Sequence, residues 1–348
     1  MPLALASVFL ILLAAQRLPE PLAFWSATPL VGLPVQLATS PADDLTVYAA
    51  AGEVPGVNGL YRSVDAGASW APIEQAPLGE VISSFAIDPG DPLRILVTTF
   101  HSDTGAAVVY RSGDGGATWS EALDPMVSCG PVGFARGGAV ALVGCGARLF
   151  RTLDGGESWS SVPNPAGSRW FAPSPDGSIL ASGSGESILR TTDDGESWTV
   201  VGYAPAQCDY VNWLAVSPTN PLELLAATGE PEMFGLTCGG IFRSVDGGVT
   251  WEETLADRLF TQVVYDASSP SRVFAAAAGS GLNSPRPLIG VLESGDGGRT
   301  WTELPLPQES VDGVDIALSE SGRVLYTHVI AGGFYRHRFP RPTPLAPR

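Results

Sequence analysis

The sequence predicts an all-β fold, seven four-stranded antiparallel blades closed into a ring, and three observations carry that prediction. An eight-residue motif recurs six times, with its Asp residues 49, 40, 39, 53 and 50 positions apart. Three short strand-like segments precede each copy in the same order. A seventh set of three strands follows without the motif, and a matching fourth strand stands near the other end of the chain. The period is that of one blade of a β-propeller.

The motif copies read Ser63-Val-Asp65-Ala-Gly67-Ala-Ser69-Trp70, Ser112-Gly-Asp114-Gly-Gly116-Ala-Thr118-Trp119 and Thr152-Leu-Asp154-Gly-Gly156-Glu-Ser158-Trp159. Thr191-Thr-Asp193-Asp-Gly195-Glu-Ser197-Trp198, Ser244-Val-Asp246-Gly-Gly248-Val-Thr250-Trp251 and Ser294-Gly-Asp296-Gly-Gly298-Arg-Thr300-Trp301 complete the set. An Asp ahead of Gly can accept hydrogen bonds from nearby backbone amides, and Gly supplies the positive φ of a tight hairpin turn. The Trp is expected to start the next strand and to fill the wedge between blades with its ring. With the pattern S/T-x-D-x-G-x-S/T-W in six copies, the chain resembles the Asp-box (bacterial neuraminidase repeat) propellers: sialidases, sortilin luminal domains, xyloglucan-degrading enzymes and photosystem II assembly factors. The boxes recur in every blade but the last, so they read as scaffold.

Each box follows an apolar pair and usually an arginine, as in Leu60-Tyr61-Arg62, Val109-Tyr110-Arg111, Leu149-Phe150-Arg151 and Ile241-Phe242-Arg243. This is the third strand of a blade. Arg190 and Arg336 fill the same place, with bonds expected to local carbonyls or box carboxylates, whereas Glu293 takes it in blade six. Second strands are read at Val47 to Ala50, Ile95 to Thr99, Val140 to Val143 and Val273 to Ala277. Inner strands end in turns such as Asp88-Pro89-Gly90 and Ser174-Pro175-Asp176-Gly177. Val314 to Ala317, Val324 to Thr327 and Phe334-Tyr335-Arg336 make blade seven, and Phe24 to Thr28 is expected to close it as the fourth strand. The domain is therefore expected at 24–339, after a hydrophobic segment at 1–23 and before a Pro/Arg-rich disordered tail at 340–348.

Composition narrows the function. With 41 Gly, 30 Pro and 16% charged residues the chain is no coiled coil or disordered tail. Its basic residues are all Arg, and a net charge of −17 disfavours nucleic acid and anionic lipid. Leu3 to Ala15 is an apolar run of signal-peptide length, too short to span a bilayer comfortably, so export is expected, with an N-terminal tether as the alternative. No other membrane span is expected, and the domain is expected to be a monomer. Cys129, Cys145, Cys208 and Cys238 suit two disulfides, Cys129 opposite Cys145 across a hairpin and Cys208 beside the loop bearing Cys238. Their spacing is not that of a metal site, and no cofactor is expected.

Strand polarity puts boxes and inner turns on one face. The other face carries the longer loops, including 52–59, 100–106, 229–240 and 278–290, beside minimal ones at 145–148 and 183–187. Such a lopsided rim suits a binding cleft. Its polar and aromatic candidates are Glu53, Asn58, His101, Asp103, Arg169, Trp170, Asp209, Tyr210, Trp213, Glu230, Glu232, Arg258, Asn283 and Arg286. Aromatic faces beside carboxylates suit a carbohydrate, and a protein segment fits the same surface.

The resemblance implies two kinds of activity. A sialidase-like site would need an arginine triad, drawn here from Arg169, Arg258 and Arg286, and a Tyr210 nucleophile with Asp209 and Glu230 or Glu232 as partners. The chain departs from sialidases in its seven blades, in its consecutive boxes, and in Arg94-Ile95-Leu96, the nearest approach to their Arg-Ile-Pro motif, which lies in a second strand. Xyloglucan-degrading relatives set two Asp residues between two propellers, and one propeller is present here. No pair among Asp103, Asp209 and Asp257 stands out. The favoured expectation is a non-catalytic exported module that binds a protein segment or glycan on its loop-rich face.

Overall fold

Second strands such as Leu224–Thr228 and Ala141–Cys145 are apolar at nearly every position and buried throughout, because each blade is covered on both sides by its neighbours. The computed structural model describes residues 26–27, 33–52, 59–74, 81–101, 103–135, 137–163, 167, 170–183, 187–204, 211–229, 239–256, 259–278, 290–304, 306, 312–330 and 333–339. Within them there is no helix, and 28 strands form seven antiparallel four-stranded sheets.

Blade one is β2 (Leu33–Thr39), β3 (Val47–Gly52), β4 (Gly59–Ser63) and β5 (Ala71–Pro72). Blade two is β6 (Val81–Asp88), β7 (Asp91–Phe100), β8 (Ala107–Ser112) and β9 (Ser120–Leu123). Blade three is β10 (Cys129–Phe134), β11 (Ala141–Cys145), β12 (Arg148–Thr152) and β13 (Ser160–Pro163). Blade four is β14 (Trp170–Pro173), β15 (Ile179–Ser182), β16 (Ser187–Thr191) and β17 (Thr199–Tyr203). Blade five is β18 (Val211–Val216), β19 (Leu224–Thr228), β20 (Gly240–Ser244) and β21 (Glu252–Ala256). Blade six is β22 (Leu259–Tyr265), β23 (Val273–Ala278), β24 (Val291–Ser294) and β25 (Thr302–Leu304). Blade seven is β26 (Asp312–Leu318), β27 (Val324–Ile330) and β28 (Gly333–Arg338), completed by β1 (Ser26–Ala27) from the other end of the chain. Ser26 pairs with Arg336 and Ala27 with Tyr335, which closes the ring as the sequence predicts.

The box turns are nearly superimposable in their bonding. Ser63 Oγ donates to Asp65 Oδ1 at 2.8 Å and accepts from Gly67 N at 2.8 Å, while Ser69 N and Oγ donate to the two Asp65 oxygens at 2.8 and 2.6 Å. The same four bonds recur around Asp114, Asp154, Asp193, Asp246 and Asp296. These donors hold the Asp65 and Asp114 carboxyls down at about 2. The outer strand begins one residue after each Trp rather than at it, as β5 does at Ala71 and β9 at Ser120. The Trp is held in the turn instead: Trp119, Trp198 and Trp251 donate Nε1–H to the carbonyls of Gly116, Gly195 and Gly248.

Seven apolar clusters fill the seven blade interfaces. Six contain one box Trp each, from Trp70 between blades seven and one to Trp301 between blades five and six. The interface of blades six and seven has none, since blade seven has no box. Phe339 fills that wedge, 5.5 Å from Phe274, with the Arg272 guanidinium 3.6 Å above its ring.

The recurring arginines reach across blades, which corrects the expectation of local bonds. Arg111 Nε donates to Gly155 O in the next box at 3.0 Å, and Arg243 Nε to Gly297 O at 3.1 Å. Arg151 reaches the carbonyls of Asp193 and Asp194, and Arg336 those of Asp65 and Ala66 across the closure. Arg190 differs, bonding Asp176 and Ser178 of its own blade. The place of Glu293 is now accounted for: the blade after it offers no box carbonyls, and Glu293 pairs instead with Arg272 at 2.8 Å.

Arg243 is 95% buried, so Arg243→Ala should lower the unfolding free energy by about 1–3 kcal/mol through the orphaned Gly297 carbonyl. Arg62 is exposed and bonds no carbonyl of the next box among the described residues, so Arg62→Ala should stay within about 0.5 kcal/mol. Urea denaturation of the two variants measures the contrast. Equal losses would contradict the cross-blade role.

Candidate functional site

An inner strand has no partner on its channel side, so its outward N–H and C=O groups must be satisfied by something other than its own sheet. At one level of the channel the register identifies one such residue in each blade: Leu37, Phe85, Val132, Phe171, Leu214, Val263 and Ile316, opposite Ala49, Val97, Val143, Ala181, Ala226, Ala275 and Thr327. The residue before each of them belongs to a ring of seven: Gln36, Ser84, Pro131, Trp170, Trp213, Gln262 and Asp315.

Four members of that ring cover the edge of the next blade. Gln36 Oε1 accepts from Phe85 N at 2.8 Å, and its Nε2 donates to Phe85 O at 3.0 Å. Ser84 Oγ accepts from Val132 N at 3.2 Å, Gln262 Oε1 from Ile316 N at 2.7 Å, and Asp315 Oδ2 from Leu37 N at 2.5 Å. Bulges in β2, β6, β10, β18, β22 and β26 accompany this belt by turning the inner strands. Blades three to five break the pattern with Pro131, Trp170 and Trp213, none of which offers an acceptor. Among the described residues, no side-chain acceptor meets the N–H of Phe171, Leu214 or Val263; Asn212 instead donates to Phe260 O at 2.9 Å.

A cavity of about 350 Å³ lies inside the belt and is walled in part by residues of it, among them Gln36, Pro131, Trp170, Phe171, Trp213 and Gln262. Trp170 and Trp213 are half-buried, with ring centroids 4.4 Å apart and planes tilted by 45°. At the level of the ring the channel wall thus has a polar arc, from blade six through blade two, and an apolar arc of Pro131, Trp170 and Trp213 over blades three to five. Trp170 opens β14 and Trp213 is the third residue of β18, so both stand toward the end of the channel where inner strands begin, on the loop-rich face.

Of the predicted rim residues, the structure brings Trp170 and Trp213 together. His101 and Asp103 are exposed in the turn between β7 and β8, where Gly105 N donates to His101 O at 2.8 Å, and neither lines the cavity. Glu53, Asn58, Arg169, Asp209, Tyr210, Glu230, Glu232, Asp257, Arg258, Asn283 and Arg286 lie outside the described residues, as do Cys208 and Cys238. Cys129 and Cys145 form the expected disulfide across β10 and β11. Sequence reading missed the belt itself. Its signal is a Gln, Ser or Asp at one register position of an otherwise apolar inner strand.

No family model matches the sequence, and no curated protein matches it. Solved structures do. One is YCF48 bound to D1 peptide, with 17% identity, a TM-score of 0.63, and coverage of 91% of this chain and 96% of that one. YCF48 from Cyanidioschyzon merolae gives 16% identity, a TM-score of 0.63, and 92% and 100% coverage. The chain shares their propeller fold. The GH74 enzyme of Niastella koreensis also matches, with 16% identity, a TM-score of 0.56, and 85% of this chain on 62% of that one. The neighbours thus include a peptide-bound protein and an enzyme, on one architecture that hosts both.

Asp315 and its cross-strand neighbour His328 give the belt a pH signature. Burial pushes the Asp315 carboxyl up to about 7 against its ordinary 3.8, opposed by the N–H groups of Leu37 and Ile316, and burial pushes His328 down to about 4 from 6.5. The folded state therefore holds an Asp315 proton that the unfolded chain releases, so this group's contribution is full below about pH 4 and is lost as pH rises to 7. His328 works oppositely: its contribution is full above 6.5 and is lost as pH falls to about 4. Asp315→Asn should make stability rise between pH 4 and 6.5, and His328→Leu should make it fall between pH 4 and 7, in thermal melts across that range. Parallel pH profiles for the two variants would refute the assignment.

Proposed function

We propose that the chain is an exported, non-catalytic propeller that binds a protein segment on its loop-rich face, at the mouth of the channel. The Trp170–Trp213 pair in the cavity wall carries this reading, because half-buried aromatic rings beside hydrogen-bonding groups are the usual anchors of recognition. The neighbour with a bound peptide supports it by fold. The apolar run from Leu3 to Ala15 supports export.

The test is to incubate the purified chain with an array of immobilised peptides and, in parallel, with sialosides and β-glucans. Retention of peptides, weakened by Trp170→Ala with Trp213→Ala, and intact glycans are the expected results. Glycan hydrolysis that is abolished by Asp209→Ala, Tyr210→Phe or Arg286→Ala would establish a glycosidase instead.

A further inference from the structure

The gap in the belt has a built-in template for what fills it. At the covered edge of blade two, the occupant is the carboxamide of Gln36, which takes the N–H of Phe85 with its oxygen and gives its own N–H to Phe85 O. An extended residue offers the same pair in its own C=O and N–H, which point to the same side of the strand. By the same register, Phe171, Leu214 and Val263 turn equivalent edges toward the channel in three consecutive blades. The side chains that replace the covering groups there are the Trp170 and Trp213 indoles and the Pro131 ring.

We propose that this arc is a subsite for an extended, proline-bearing peptide whose backbone amides meet the three open edges while a pyrrolidine ring packs against the Trp170–Trp213 pair. The inference rests on the binding-module reading and names its ligand class. Proline favours the polyproline II form, which leaves backbone groups unpaired and is recognised on aromatic-lined surfaces. None of the described residues walling the cavity carries a charged side chain, so the inserted portion is uncharged. The net charge of −17 outside favours arginines flanking it. The chain carries a segment of this kind, Pro340-Arg-Pro-Thr-Pro-Leu-Ala-Pro-Arg348, which supplies the probe.

The experiment titrates a labelled peptide of sequence 340–348 into the full chain by fluorescence polarisation, beside Trp170→Gln and Trp213→Gln. Each variant puts an amide-bearing side chain at the gap, as Gln36 does, and should keep a cooperative melt while weakening binding roughly tenfold or more. A peptide with every Pro replaced by Ala should bind as weakly. In the unaltered chain, the peptide should shift the indole N–H resonances of Trp170 and Trp213, a readout that needs no variant. Binding that is indifferent to both substitutions and leaves both indoles unmoved overturns the subsite. If the array retains other peptides while this probe gives no shift, the subsite is rejected and the binding-module reading stands. Glycan hydrolysis, or indole shifts with sialyllactose or cello-oligosaccharide but not peptide, rejects it as well.

Discussion

The inner strand of every blade turns an unpaired polar edge toward the channel, and the ring depends on how those edges are satisfied. Each four-stranded blade keeps an outer and an inner edge, so the ring gathers seven inner edges around one channel. In four blades the remedy is a side chain from the preceding blade, bonded to backbone rather than to another side chain, so its partner is present whatever the sequence of the next strand. Each bond also fixes the rotation of one blade against the next. The belt therefore joins ring closure and blade geometry in one set of contacts, and the last of them, from Asp315 to Leu37, crosses the seam where the two ends of the ring meet.

Away from the channel the blades are joined by the box. Its Trp fills the wedge toward the preceding blade, and in four blades its carbonyls receive the arginine of that same blade, so one turn ties a single interface at two points. Blade seven lacks a box, and both consequences appear at its boundary with blade six. Phe339 takes the wedge under the Arg272 guanidinium, and Glu293 replaces an arginine that would have no carbonyls to reach. A single missing motif thus accounts for two local exceptions.

Most of the fold was legible in the sequence because repetition amplifies weak local signals. The six boxes, the strands before them and the closing pair of Ser26 and Ala27 all follow from periodicity. The direction of the arginines was not legible, since a bond to a backbone carbonyl in another blade leaves no pairing mark in the sequence. Nor was the belt, because Gln36, Ser84, Gln262 and Asp315 are chemically different residues that share only a register. Trp170 and Trp213 were picked out as large aromatics on the loop-rich face, but their meeting in the channel needed the register of β14 and β18. The remaining rim candidates fall in connections outside the described residues.

Function on this account begins where the scaffold's own rule lapses. Among the described residues, the N–H groups of Phe171, Leu214 and Val263 meet no side-chain acceptor, beside the two indoles, while at the same level the other four are covered. Amide hydrogen exchange tests this most directly. In the free chain, the N–H groups of Phe171, Leu214 and Val263 should exchange markedly faster than those of Leu37, Phe85, Val132 and Ile316, and should slow when a peptide binds. Equal protection of all seven in the free chain would contradict the account.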